Sequence, residues 1–245
     1  MPRFHRLKVL RRLPHPGRGF TQGLAAADGT VWESTGLYGE SALRRYRLGQ
    51  DQAEAVAALP PDLFAESICW APGGQLWQLT WQERVALRWD PRGMTVLETI
   101  PYNREGWGIC ATRSHVLTSD GTSELVWRDP ATLAPLETVV VHCGGRRVRG
   151  INDLEWADGR VWANVAPRPY LAGIDAASGE VTDIVDARAV RERHRGDDQA
   201  FLNGLTALGP GEFLLTGKHW RFIYHVALVE ARSPRRPEAL LAGAW

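Results

Sequence analysis

Hydrophobic positions in this chain fall in short runs, and turn-forming residues interrupt them at short intervals, with 25 Gly and 15 Pro among 245 residues. This punctuation is typical of turns between short strands. Long stretches with the periodicity of an amphipathic helix are hard to find. The pattern therefore predicts an all-β fold.

A five-residue pattern recurs five times. Its third position is a polar residue or Trp, its fourth is usually a small residue, and its fifth is Leu or Ile. The copies are FTQGL (20–24), FAESI (64–68), EGWGI (105–109), GINDL (150–154) and FLNGL (201–205). Their third positions are Gln22, Glu66, Trp107, Asn152 and Asn203, at spacings of 44, 41, 45 and 51 residues. Recurrence at such a period indicates a repeat architecture.

A second pattern follows each copy of the first and reads as a turn and a strand. Its copies are DGTVWEST (28–35), GGQLWQLT (73–80), RSHVLTSD (113–120), DGRVWANV (158–165) and PGEFLLTG (210–217). The Asp-Gly and Gly-Gly pairs supply the positive φ values of a tight hairpin. We expect the recurring Trp32, Trp77 and Trp162 to be core residues.

Each repeat continues into a third strand and, in the earlier repeats, a fourth. A repeat of four short strands is typical of one blade of a β-propeller. We therefore predict a single domain over residues 1–245, a five-bladed β-propeller. The last repeat lacks a fourth strand, so the segment RLKVLRRL (6–13) is expected to pair there and close the ring. An open solenoid is the alternative, although the ends offer no obvious polar caps.

In a propeller the first strands face the central channel, so the five third positions should converge on one pocket. The residues after the second strands should lie near the same face; they are Gly36, Trp81, Gly121, Ala166 and Lys218. Only Lys8 and Lys218 are lysines among the 29 Lys and Arg residues of the sequence. Because the chain uses Arg nearly everywhere else, Lys218 in the predicted pocket suggests that the compact charge of an ammonium group is needed there. A structural interpretation stays open for Asn203 as a strand-end cap, and for Glu66 with Lys218 as an ion pair.

Composition narrows the possible functions. The formal net charge of +1 does not indicate a nucleic-acid partner, and no apolar run approaches the length of a membrane span. Three scattered cysteines and the absence of a Cys/His cluster argue against a disulfide framework and a zinc site. The N-terminal sequence has no recognisable export signal, which favours a cytoplasmic location. We expect a monomer without a cofactor or metal.

The motifs resemble those of the plant-type and bacterial glutaminyl cyclases, or glutamine cyclotransferases, from about residue 6 to residue 229. The resemblance is carried by FTQGL, ESTGLYGES, FAES, LWQLTWQE, EGWG, SDGTS, INDLEW, VWANV, LNGL and TGKHW. It implies a five-bladed propeller that converts N-terminal glutamine of peptides into pyroglutamate and ammonia. It also implies independence from zinc, unlike the unrelated animal enzymes.

The resemblance further implies roles for individual residues. Glu66 matches the acid/base glutamate, and Lys218 and Asn152 match the lysine and asparagine of the site. The implied substrate-binding residues are Gln22, Trp81 and Trp107.

Three positions depart from the family pattern. Ser67 stands for the usual Gly, Asp153 for the usual Glu, and Ala166 for a pocket Trp. The alternative function, a non-catalytic propeller that binds a peptide N-terminus or small molecule, gains support from Ala166, whereas Glu66 and Lys218 argue against it.

Overall fold

The computed structural model describes residues 1–194 and 199–241. Strands contain 56% of the residues and helices 6%, which confirms the all-β prediction. In these two ranges no helix is long and apolar enough to cross a membrane. Residues 195–198 and 242–245, which the single-domain prediction includes, lie outside the described residues. The helical segments are α1 (Arg188–Arg191) and the 3₁₀ turns Pro16–Arg18, Glu192–His194 and Pro237–Leu240.

The first three repeats each form a four-stranded antiparallel sheet in chain order. This order follows from the short hairpin turns, in which Asp28, Gly29, Gly73 and Gly74 have the predicted positive φ. The strands are β2 (Thr21–Ala27), β3 (Thr30–Thr35), β4 (Ala42–Arg47) and β5 (Ala55–Ala58); β6 (Ala65–Ala71), β7 (Gln75–Thr80), β8 (Val85–Asp90) and β9 (Thr95–Pro101); and β10 (Gly108–Ala111), β11 (Val116–Ser119), β12 (Glu124–Arg128) and β13 (Pro135–Val140).

The last two repeats share an eight-stranded sheet with the order β16-β17-β18-β19-β1-β22-β21-β20. Strand β1 pairs in parallel with β19 and antiparallel with β22, which confirms the predicted pairing of the N-terminal segment with the last repeat. The strands are β1 (Arg3–Pro14), the small hairpin β14 (His142–Cys143) and β15 (Arg146–Arg147), β16 (Ile151–Ala157), β17 (Arg160–Val165), β18 (Tyr170–Ile174), β19 (Val181–Asp186), β20 (Leu202–Gly209), β21 (Glu212–Gly217) and β22 (Phe222–Glu230).

The first strands of the repeats contact one another in a closed order, β2 to β6, β10, β16, β20 and back to β2. Among the described residues, apolar side chains form five clusters that fill the spaces between successive repeats. The predicted core residues Trp32, Trp77 and Trp162 are buried in these clusters. The packing therefore directs the first strand of every repeat toward a common centre.

Asp183 on β19 fastens β1 to the rest of the fold. Its carboxylate accepts hydrogen bonds from His5 at 2.7 Å and Arg3 at 2.9–3.1 Å, and it also binds Arg160 and Thr182. Burial alone would raise the pKa of Asp183. The hydrogen bonds and the charge of Arg160 outweigh burial, so the pKa is lowered from its usual value.

Replacing Asp183 with asparagine should lower the free energy of unfolding by about 2 kcal/mol at pH 7, because two or more bonds to a charged acceptor are weakened. A lowered pKa stabilises the fold above the unfolded-state pKa of about 3.9, and this stabilisation is lost as pH falls through the folded-state pKa. Urea denaturation should therefore show a smaller difference from the wild type at pH 3 than at pH 7. The same change at the exposed Asp51 is the control, and equal effects at both positions would contradict the assignment.

Candidate active site

A cavity of about 320 Å³ lies where the first strands of the repeats begin. It brings together all six site residues that the sequence predicts, together with Asn203 and Ala166. Gly36 and Gly121 do not line it. A Cβ at either position would lie 2.4–2.8 Å from the ring of Phe64 or Trp107, respectively, so these glycines make room for aromatic rings. The predicted residues on the cavity wall are Gln22, Glu66, Trp81, Trp107, Asn152, Ala166, Asn203 and Lys218.

Irregular pairing in the first strands orients the polar side chains of the pocket. The register shifts between Thr21 and Gly23, and comparable shifts occur around residues 66, 152 and 203. A β-bulge re-aims a side chain that regular pleating would turn elsewhere. The polar third position of the repeat motif therefore coincides with a local break in the ladder.

Gln22 links two polar side chains of the pocket. Asn203 Nδ2 donates to Gln22 Oε1 at 2.8 Å, and Gln22 Nε2 donates to Glu66 Oε1 at 3.0 Å. Asn203 Nδ2 also donates to the backbone oxygen of Thr21 at 3.2 Å, as the structural interpretation of this residue expected. These consecutive hydrogen bonds fix the carboxylate of Glu66 at the wall of the cavity.

Glu66 is only 6% exposed. Burial raises its pKa well above the usual value, the charge of Lys218 opposes the rise, and Asp153, Glu105 and Glu83 add to it. A carboxyl group with a raised pKa can both accept and return a proton near neutral pH. Such a group in a cavity is typical of an acid/base site.

Lys218 lies directly after β21, and its Nζ is 4.4 Å from the centre of the Phe20 ring. Burial lowers its pKa, against the attraction of Glu66. Among the described residues the ion pairs within 4.0 Å do not include Glu66 with Lys218, so the two charges attract each other without a direct contact. Both groups keep bonding capacity on the side of the cavity.

Asn152 also keeps unused bonding capacity. Its side-chain Oδ1 is buried and has no hydrogen-bond partner among the described residues. Buried polar atoms are rarely left unpaired, so an exception on a cavity wall calls for an explanation such as a bound ligand. The free oxygen can accept a hydrogen bond from a ligand N–H group.

Aromatic rings form the apolar walls of the cavity. Trp81 and Trp107 are joined by Phe64, whose ring centre is 5.4 Å from that of Trp81, and by Phe20 and Phe201. The sequence-based prediction missed these three phenylalanines. They occupy the first position of the repeat motif in FTQGL, FAESI and FLNGL, so their recurrence was an available signal.

Asp153 is fully buried beneath Glu66 and contacts several repeats at once. Its carboxylate accepts the hydroxyl of Ser67, the backbone N–H of Leu205 at 2.8 Å and that of Leu24. Ser67 Oγ in turn accepts the backbone N–H of Ile109 at 3.3 Å. Ser67 and Asp153 therefore form one hydrogen-bonded junction among all five repeats.

In residues 1–194 and 199–241 no three His, Cys, Asp or Glu side chains come together as a metal site would require. The three cysteines are free and buried.

The all-β fold is that of a solved bacterial glutaminyl cyclase. The crystal structure of glutaminyl cyclase from Myxococcus xanthus matches with a TM-score of 0.86 and 32% identity, over 95% of this chain and all of that one. A glutaminyl-peptide cyclotransferase from Arabidopsis thaliana is 31% identical over 237 residues, which cover 94% of this chain and 73% of the relative. The family profile of glutamine cyclotransferase matches residues 1–228, so the chain belongs to the glutamine cyclotransferase family.

Proposed function

We propose that this protein is a five-bladed β-propeller that converts the N-terminal glutamine of peptides into pyroglutamate and releases ammonia. The activity is supported by the family, by the curated relative and by the solved structure. The propeller architecture is supported by five repeats whose first strands contact each other in a closed order, with β1 as the fourth strand of the last repeat. The observation that carries the proposal is a buried Glu66 facing a cavity with aromatic walls.

The reaction joins two groups of the same residue. The α-amine of the substrate attacks the carbon of its own side-chain carboxamide, a C–N bond forms, and the former amide nitrogen leaves as ammonia. The substrate supplies the proximity itself, so the protein must select the conformer, exclude water and move protons. The amine, with a pKa of about 7.7–8.0, must be neutral to attack.

Glu66 is the proposed proton shuttle. Its carboxylate takes a proton from the attacking amine and returns it to the leaving nitrogen, and its raised pKa suits both steps. Lys218 and the N–H₂ group of Asn152 stabilise the negative oxygen of the tetrahedral intermediate. The free Oδ1 of Asn152 accepts an N–H of the substrate. Trp81 and Trp107 enclose the methylene groups, and Gln22 orients Glu66.

The decisive experiment measures ammonia release from a Gln-initiated dipeptide, with an Asn-initiated dipeptide as the control. Only the glutamine substrate should react, because the shorter side chain cannot close a five-membered ring. The rate should be unchanged by EDTA, since no cluster of zinc ligands appears in the sequence. A rate that is lost with EDTA and restored by zinc would contradict the mechanism, and no reaction with any Gln-initiated peptide would contradict the function.

Ala166 lines the cavity beside Pro167, where the family resemblance implies an indole. Replacing Ala166 with tryptophan should lower KM for a Gln-initiated dipeptide by roughly tenfold, because an added apolar wall buries more of the substrate. The kcat value should change little, since the ring contacts ground state and transition state alike. Steady-state kinetics test this, with circular dichroism to confirm folding. An unchanged KM in a folded variant would contradict the proposed wall.

A further inference from the structure

We propose that Glu105 is a positioning residue for the cyclisation, because one of its carboxylate oxygens holds both tryptophan walls of the pocket. The inference rests on the activity proposed above. Trp81 Nε1 donates to Glu105 Oε2 at 3.0 Å, and Trp107 Nε1 donates to the same oxygen at 3.3 Å. The two rings come from different repeats, since Trp81 follows β7 and Trp107 precedes β10. The single oxygen therefore sets the position of one wall relative to the other.

The backbone around Glu105 fits this role. Gly106 N donates to Thr80 O at 2.9 Å, and a Cβ at residue 106 would lie 2.5 Å from Leu79 Cβ. The segment is thus pressed against the end of β7. On the other side, the Trp107 ring lies against Gly121, where a Cβ would be 2.8 Å from the ring atoms. The backbone next to Glu105 is therefore fixed at the end of β7, and one of its two indole donors packs closely against Gly121.

Within the described residues, Glu105 forms no ion pair with Lys, Arg or His. The adjacent Arg104 instead binds Asp120 at 2.9 Å and Glu124 at 2.7 Å. A carboxylate is a strong acceptor for both indole N–H groups, since bonds to charged acceptors exceed neutral ones in strength.

The same charge reaches Glu66. The charged groups facing Glu66 are Lys218 after β21, Asp153 on β16, Glu83 after β7 and Glu105 before β10. Burial is the largest cause of its raised pKa, Lys218 opposes it, and the three acids add to it. Removing the charge of Glu105 should therefore lower the pKa of Glu66. Since Glu66 must be ionised to accept the amine proton, the acidic limb of the rate profile should move to lower pH.

Two variants separate the two effects. Glu105→Ala removes the acceptor and the charge, so KM for a Gln-initiated dipeptide should rise by roughly tenfold as the walls lose their fixed position. Glu105→Gln keeps an oxygen acceptor, so KM should stay close to that of the wild type. Both variants should shift the acidic limb of kcat/KM to lower pH. The matched control is Glu98→Gln on the exposed strand β9, which should change neither quantity.

Near-UV circular dichroism provides a test that needs no activity, because fixed indole rings give strong bands. Glu105→Ala should weaken these bands, whereas Glu105→Gln and Glu98→Gln should retain them. If wild-type protein released no ammonia, the proposed function would be wrong and the spectra alone would decide the role of Glu105. Unchanged bands in Glu105→Ala, or an unchanged KM in an active enzyme, would overturn the inference.

Discussion

Replacing Glu66 with glutamine should lower kcat for a Gln-initiated dipeptide by at least ~100-fold, the usual contribution of a positioned proton-transfer group. Glutamine has nearly the same shape and keeps an oxygen where Gln22 Nε2 donates at 3.0 Å. It cannot accept the proton of the attacking amine. The KM value should change much less, because the walls and Lys218 remain in place. Ammonia release under saturating and limiting substrate separates the two constants.

The stability of this variant gives an independent check on the pKa of Glu66. A carboxyl group with a raised folded-state pKa costs stability as pH rises from its unfolded-state pKa through its folded-state pKa. The glutamine variant avoids this cost, so its melting temperature should match or exceed that of the wild type at pH 8, with a smaller difference at pH 4. Functional sites often concede stability in this way. A near-normal kcat would instead assign the proton transfer to another group.

Replacing Asp153 with alanine should lower the free energy of unfolding by about 3 kcal/mol or more, because several buried donors lose their acceptor at once. The hydroxyl of Ser67 and the backbone N–H groups of Leu205 and Leu24 all point to this carboxylate. For a domain of this size the melting temperature should fall by roughly 10 °C. Thermal unfolding followed by circular dichroism measures the change. The control is Asp62→Ala at an exposed position, which should have almost no effect.

The isosteric variant Asp153→Asn tests the ionisation of this residue. Burial is the largest cause that raises the pKa of Asp153, to about 8, and the hydrogen bonds only reduce the rise. Wild-type stability should therefore decline as pH increases from about 4 to above 8, and this decline should be smaller in the asparagine variant. Asparagine should also be less destabilising than alanine, since it keeps one acceptor. Equal losses of unfolding free energy in the alanine and asparagine variants, without a change in pH dependence, would contradict the proposed role of Asp153 in the hydrogen-bonded junction.

Repetition made much of the site predictable. Residues 86 positions apart, such as Glu66 and Asn152, could be placed in one cavity because equivalent positions of the repeats face the same centre. Residues that act through contacts between repeats could not be found this way. Glu105 accepts a hydrogen bond from Trp81 of the preceding repeat. Asp153 bonds mainly to backbone groups, which every residue has and which therefore leave no pattern in the sequence. The junction of Ser67 with Asp153 also required the spatial neighbourhood, although each residue alone was notable.

Strand β1 has a consequence for synthesis on the ribosome. Residues 5–14 of β1 pair with β22, the last of the described strands to be translated, at residues 222–230. At typical elongation rates β1 waits roughly 10–40 s for this partner. An unpaired strand is an aggregation hazard, and charges along it reduce the hazard. Arg3, Arg6, Lys8, Arg11 and Arg12 lie on β1, so this strand carries five positive charges while it waits for β22.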